Sequence, residues 1–180
     1  MSRQTALVII DVQEAFFSGP KAAYQATAIL GRIHRLREQA QRAAVPVIYV
    51  QHDGDPDSPV APGSAGWQIH ARVAPTATDT VVRKRASDAF FETTLEHELQ
   101  ARGVRHVVLV GYKTQMCVDT TSRRATSLGY DVTLVRDAHT TTDGATLSAA
   151  QIIAHHNETL DDFGTDHHAI VLQDSAAVVF

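Results

Sequence analysis

At 180 residues, with 44% hydrophobic and 20% charged residues, the chain has the balance expected of one soluble globular domain rather than a disordered or multidomain protein. Its 16 Lys and Arg against 20 Asp and Glu leave a formal charge of -4, which offers no general basic surface to a nucleic-acid backbone. A lone cysteine excludes an internal disulfide, and no apolar run approaches the roughly 20 residues that span a bilayer, so a protein of the reducing cytoplasm is expected, with no nucleic acid and no membrane as partner.

The N-terminus shows no signal-peptide pattern and leads straight into the first strand-like run. In chain order, short apolar runs rich in β-branched residues predict strands at 6–10, 45–50, 80–82, 106–110, 132–135 and 169–172. Ile29, Ile33, Leu36 and Ala40 recur at helical spacing between the first two. Phe91, Leu95 and Leu99, with Glu92, Glu96 and Glu98 outside, predict a second helix from a Ser87 cap to a stop at Gly103. Gly129 is expected to end the helix that follows Cys117. The connection 51–79, rich in Pro, Gly, Asp and Ser, is long enough to suggest a functional or disordered loop, with one short helical stretch at 67–73.

Alternating strands and helices imply a parallel sheet covered on both faces, a three-layer α/β/α architecture. With no internal repeat or low-complexity tract, one domain over 1–180 is expected, with the Rossmann-like six-stranded order 3-2-1-4-5-6. In that order strands one and four are neighbours, and ligands bind at their carboxyl ends. Asp11 follows strand one there, and strand four runs through Gly111 toward Cys117.

Several chemistries are absent. Residues 11–17 hold no glycine for a dinucleotide turn, and no Walker loop occurs. The segment 63–66 lacks the spacing of a nucleophile elbow. Cys117 remains, at a predicted helix N-terminus where the dipole favours thiolate, against the plainer reading of a buried inert thiol. Asp11, a carboxylate ending a buried strand, needs a partner or a task, or caps a loop. Lys84 offers that partner, or belongs with Arg83 and Arg85 to a solvated basic edge.

Taken in order, Val8-Ile9-Ile10-Asp11-Val12-Gln13, Lys84 after strand three, and Gly111-Tyr112-Lys113-Thr114-Gln115-Met116-Cys117-Val118 resemble the isochorismatase-like cysteine hydrolases. That family includes nicotinamidases and carbamoyl-cleaving amidases, and the resemblance runs end to end. It implies a catalytic triad of Asp11, Lys84 and Cys117, a cis peptide joining Tyr112 to Lys113, and an oxyanion hole from the backbone N–H groups of Lys113 and Cys117. The implied activity is a metal-independent amidohydrolase that opens an amide, lactam or carbamoyl bond of a small molecule through a thioester. No cofactor is implied, and a homodimer or larger homo-oligomer is. The alternatives are enol-ether hydrolysis of the isochorismatase type, which does not need the cysteine, and a catalytically silent module that binds a metabolite or a protein.

Where nicotinamidases carry Asp-x-His after strand two, this chain reads Gln51-His52-Asp53, so a metal held by His52, Asp53 and His70 is not expected. The runs 50–54 and 111–114 look most like the metal-free branch that includes streptothricin hydrolase. Substrate contacts are expected from Gln13, Phe16, Phe17, His52, Trp67 and Tyr112, with Lys113 directed to substrate or to solvent. Asp53, Asp55 and Asp57 predict an acidic entrance. The adjacent pairs His155-His156 and His167-His168 are read as structural, because neighbours on a helix point about 100° apart.

Overall fold

In the computed structural model, which describes residues 4–180, the strands are β1 (Thr5–Ile10), β2 (Val47–His52), β3 (Thr80–Lys84), β4 (His106–Tyr112), β5 (Asp131–Thr140) and β6 (Ile170–Gln173). Residues 1–3 of the N-terminal segment read above lie outside the described residues. The strands form one sheet of order β3-β2-β1-β4-β5-β6 with every pairing parallel, the order expected from the sequence. Helices α1 (Glu14–Phe17), α2 (Ala26–Arg42), α3 (Leu95–Ala101), α4 (Asp119–Ser127) and α5 (Ala149–Leu160) cover it.

The period of two along β1 divides the interior. Ala6, Val8 and Ile10 point into a core shared with Leu95, Leu99, Ala125 and Leu160, while Leu7 and Ile9 point into one shared with Ile29, Ile33 and Leu36. Helices therefore pack on both faces. Each buried Leu or Ile contributes on the order of 1.5–3 kcal/mol, so the continuous apolar strands are what the three layers stand on. No helix of the described residues is long and apolar enough to cross a membrane.

Apart from other shifts of one or two residues at strand ends, the structure departs from the predicted elements in four places. Strand β2 starts at Val47, because the Val45 N–H still donates to Ala40 O and the left-handed Ala44, φ 55°, closes α2 there. The second predicted helix begins at Leu95 and not at Ser87. Glu92 at φ 53° interrupts it, Asp88 accepts the Phe90 N–H, and Thr93 Oγ1 accepts that of Leu95, so 87–94 is a series of turns and Phe91 is left 56% exposed. Only Ala71–Val73 of the stretch 67–73 is helical, as a 3₁₀ turn. Strand β5 runs on to Thr140, past the polar Arg136 and Asp137 that end its apolar run, and brings His139 opposite Gly111.

Candidate active site

The switch point between β1 and β4 is built by backbone before any side chain acts. A Cβ on Gly111 would stand 2.0 Å from the Ile10 carbonyl oxygen, and Gly111 holds φ at 128°, so only glycine lets β4 approach β1 this closely. Asp11 turns out of β1 in the left-handed region, φ 51°, where aspartate is tolerated, while its N–H still donates to Val50 O at 2.8 Å. The Tyr112–Lys113 peptide is cis, and a π-helical turn, Thr114–Val118, follows and carries Cys117 into α4.

The three implied triad residues meet here. Lys84 Nζ stands 2.8 Å from Asp11 Oδ2 and 3.2 Å from Cys117 Sγ, and donates to Ala86 O at 2.9 Å. Asp11 and Lys84 are 1% and 2% exposed, so this is a buried ion pair, costly to desolvate unless its hydrogen bonds are made. Burial alone would depress the Lys84 ammonium, but the Asp11 charge and the hydrogen bonds to Asp11 and Cys117 outweigh it and raise its pKa above the usual value. Asp11 Oδ1 is buried with no hydrogen-bond partner.

Of the two readings of Cys117, the buried environment favours the protonated thiol at rest. Burial, and then the Asp11 charge, push the thiol pKa up to about 11, and the opposing pull of Lys84 does not compensate. The residue sits in the π turn that opens the helix continued by α4, and burial outweighs what that helix end contributes. At neutral pH the nucleophile candidate is a protonated thiol beside a carboxylate and an ammonium.

The expected substrate contacts divide. Gln13 is fully buried, with Nε2 donating to His52 O and Trp67 O at 3.0 and 2.9 Å and Oε1 accepting the His52 N–H at 2.8 Å. All its polar atoms brace β1 to β2 and the long loop, so it does not offer them to a ligand. Phe16 stacks on Tyr112 at 4.6 Å, and Phe17 packs in the core edge-on to Tyr112. His52 turns Nδ1 to Lys84 Nζ at 3.3 Å, and Lys113 is half-buried. Trp67 is also half-buried, and its Nε1 donates to Asp53 Oδ1 at 2.8 Å.

One of the three carboxylates expected at the entrance is paired. Arg83 on β3 forms two guanidinium bonds from Nε to the Asp53 carboxylate, at 2.9 and 3.0 Å, and adds an Nη2 contact at 2.8 Å, while lying 5.1 Å over the Trp67 ring. Asp53, one of the three carboxylates, is thereby neutralised by a strand residue that the loop's own composition does not contain. A cavity of about 330 Å³ is lined by this pair and Lys84 together with Arg85 and Phe91.

Among the described residues no group of three or more His, Cys, Asp and Glu side chains is placed to hold a metal. His52 Nδ1 faces an ammonium, and Asp53 is held by Trp67 and Arg83.

Sequence reasoning missed one residue. His139, fully buried at the end of β5, hydrogen bonds Thr114 Oγ1 through Nδ1 and Asn157 Oδ1 through Nε2, both at 2.9 Å. Asn157 Nδ2 donates to Arg136 O, so its Oδ1 accepts from Nε2–H, and the Thr114 hydroxyl donates to Nδ1. Burial lowers its pKa to about 4 and keeps it neutral. It ties the turn that bears Cys117 to β5 and α5. The signal was a histidine within the β-branched run of 139–141, but only β5's unexpected length brings it to the site.

Comparison with known proteins follows the same lines. The chain matches the isochorismatase domain over residues 5–174. It is 41% identical over 138 residues to streptothricin hydrolase of Streptomyces noursei, covering 77% of this chain and 50% of that protein, so it spans about half the length of that relative. It is 31% identical over 177 residues to ureidoacrylate amidohydrolase RutB of Azorhizobium caulinodans, covering 75% of each. A crystal structure of an isochorismatase from Pseudomonas putida KT2440 superposes with a TM-score of 0.89 at 29% identity, over 98% of this chain and 91% of that one. With its sheet order reproduced and the domain matched almost from end to end, the chain belongs to the isochorismatase family of hydrolases.

Proposed function

We propose that the protein is a metal-independent cysteine amidohydrolase that opens a C–N bond, in an amide, lactam or carbamoyl group of a small molecule, through a thioester on Cys117. The observation that carries this reading is the Lys84 ammonium held between the Asp11 carboxylate and the Cys117 sulfur. The amidohydrolase names of relatives such as RutB support the bond class.

Because the thiol pKa is raised, the proton leaves as sulfur attacks rather than beforehand. Asp11, with Oδ1 unpartnered, takes the S–H proton while sulfur bonds to the carbonyl carbon. The negative oxygen is received by the backbone N–H groups of Lys113 and Cys117; the neighbouring N–H groups of Met116 and Val118 already donate to Lys113 O. The C–N bond then breaks and Asp11 returns the proton to the leaving nitrogen. A water gives its proton to the same carboxylate and its oxygen to the thioester carbon. The C–S bond breaks, the acid leaves, and the proton returns to Cys117.

Phe16, Tyr112, Trp67 and His52 are the side chains proposed to meet the substrate, and a homodimer or larger assembly is the proposed state. The test is amine release from a panel of primary amides, carbamoyl compounds and lactams, with and without EDTA. Turnover of at least one compound that survives the chelator and disappears in Cys117→Ala is the expected result. Cleavage of enol ethers alone, or rescue of a chelated enzyme by zinc, overturns the reading.

A further inference from the structure

Lys84 has more acceptors than protons. A lysine ammonium carries three donors and no acceptor. Nζ faces Asp11 Oδ2 at 2.8 Å, Ala86 O at 2.9 Å, Cys117 Sγ at 3.2 Å and His52 Nδ1 at 3.3 Å. The two short contacts are to a carboxylate and a backbone carbonyl, the strongest acceptors present, and each takes one N–H. The third N–H is left with two longer contacts, the imidazole nitrogen and the sulfur.

We infer that His52 is a positioning residue that shares the third Lys84 proton with Cys117, holding it while the thiol is protonated and releasing it to the sulfur as the thiolate forms. A protonated thiol is a weak acceptor and an imidazole lone pair a better one, so at rest the N–H belongs to His52. When the S–H proton passes to Asp11, the developing thiolate becomes the stronger acceptor, and a small rotation about the Cε–Nζ bond turns the N–H to it. Once the C–S bond has formed, the thioester sulfur is again weak and the N–H returns. The ammonium keeps all its protons throughout; its three N–H groups turn together through a small angle, the bonds to Asp11 and Ala86 bending to follow.

This arrangement dictates the state of His52. Since the ammonium can only donate, Nδ1 must be an unprotonated acceptor, and the neutral ring carries its proton on Nε2. Burial, and then the Lys84 charge, hold the imidazole pKa below its usual value and so keep it neutral. The other charged groups that act on it are Asp11 at the end of β1 and Asp53 and Asp55 on the loop after β2, which pull the other way.

The inference rests on Cys117 being the nucleophile, but it is read without substrate, so it and the proposed function fail separately. The measurement is the pH dependence of Cys117 alkylation by iodoacetamide, followed by intact mass in the full-length protein. His52→Leu removes the competing acceptor, so the third N–H stays on sulfur and the thiol titrates lower, with alkylation at pH 9 about tenfold faster than in the parent. His52→Asn places Oδ1 where Nδ1 stands and should restore the parent profile. An unchanged or slower His52→Leu, or a His52→Asn displaced as far as His52→Leu, overturns the inference. Should His52→Leu not fold, the long-range ¹H–¹⁵N spectrum of the unmodified protein decides. An Nε2–H tautomer with Nδ1 unprotonated is expected, and an Nδ1–H tautomer refutes the shared proton.

Discussion

Arg83 and Asp53 face each other across the mouth of the site, the guanidinium bonded to both carboxylate oxygens at 2.8–3.0 Å. The pair offsets one of the three negative charges that the loop sequence assigns to the entrance, and it also holds Trp67, whose indole donates to the same carboxylate.

Arg83→Gln should therefore expose what the pair conceals. With Asp53 unpaired, kcat/KM for a cationic amide should rise a few-fold relative to its carboxylate analogue, and added salt should erase the gain. The unmodified enzyme should show little salt-sensitive preference between the two. A cationic preference already present before the substitution would mean that Asp55 and Asp57 set the field instead.

The raised thiol pKa separates reactivity from catalysis at Asp11. Asp11→Asn keeps a side chain that tolerates the left-handed backbone at φ 51° but removes the negative charge that pushes the thiol up. Alkylation of Cys117 should speed up, while turnover should fall about a hundredfold or more because no base remains. Cys117→Ala should remove turnover with the fold intact. The buried Lys84 loses its counter-charge in Asp11→Asn, so stability should drop by about 3–5 kcal/mol. If alkylation and turnover decline together, the carboxylate is not the group that raises the thiol.

His139 makes the fold acid-sensitive in a defined window. Its folded pKa, about 4, lies below the ordinary 6.5. Above pH 6.5 both folded and unfolded chains hold a neutral imidazole and the stability is complete. Between pH 6.5 and 4 the unfolded chain takes a proton that the folded one refuses, so stability falls with falling pH, by about 3 kcal/mol in total from this group. Urea unfolding at pH 7 and pH 4.5 should show that slope in the parent protein and lose most of it in His139→Gln. Parallel slopes would place the acid sensitivity elsewhere.

Much of the molecule was legible in the chain. Continuous β-branched runs separated by helical spacing dictate a parallel sheet covered on both faces, because such strands must bury both surfaces, and crossover handedness leaves few strand orders. Asp11 and Cys117 fall at the switch point for the same reason: each follows one of the two central strands. Lys84 ends the third strand, with β2 standing between it and β1 at the switch point, and its ammonium lies 2.8 Å from Asp11 Oδ2.

What the chain could not display depends on contacts between residues far apart in sequence. Gln13 looks like a mouth residue, and only the approach of His52 and Trp67, 39 and 54 positions away, turns it into a brace. The charge of the entrance depends on Arg83 reaching Asp53 across 30 positions, which loop composition cannot register. Position in a helix pattern suggested an activated Cys117, whereas desolvation and the Asp11 charge, both products of tertiary packing, reverse that at rest. Local sequence determines which surfaces must be buried; which polar atoms then meet inside, and so which proton sits where, is decided only when the strands are side by side.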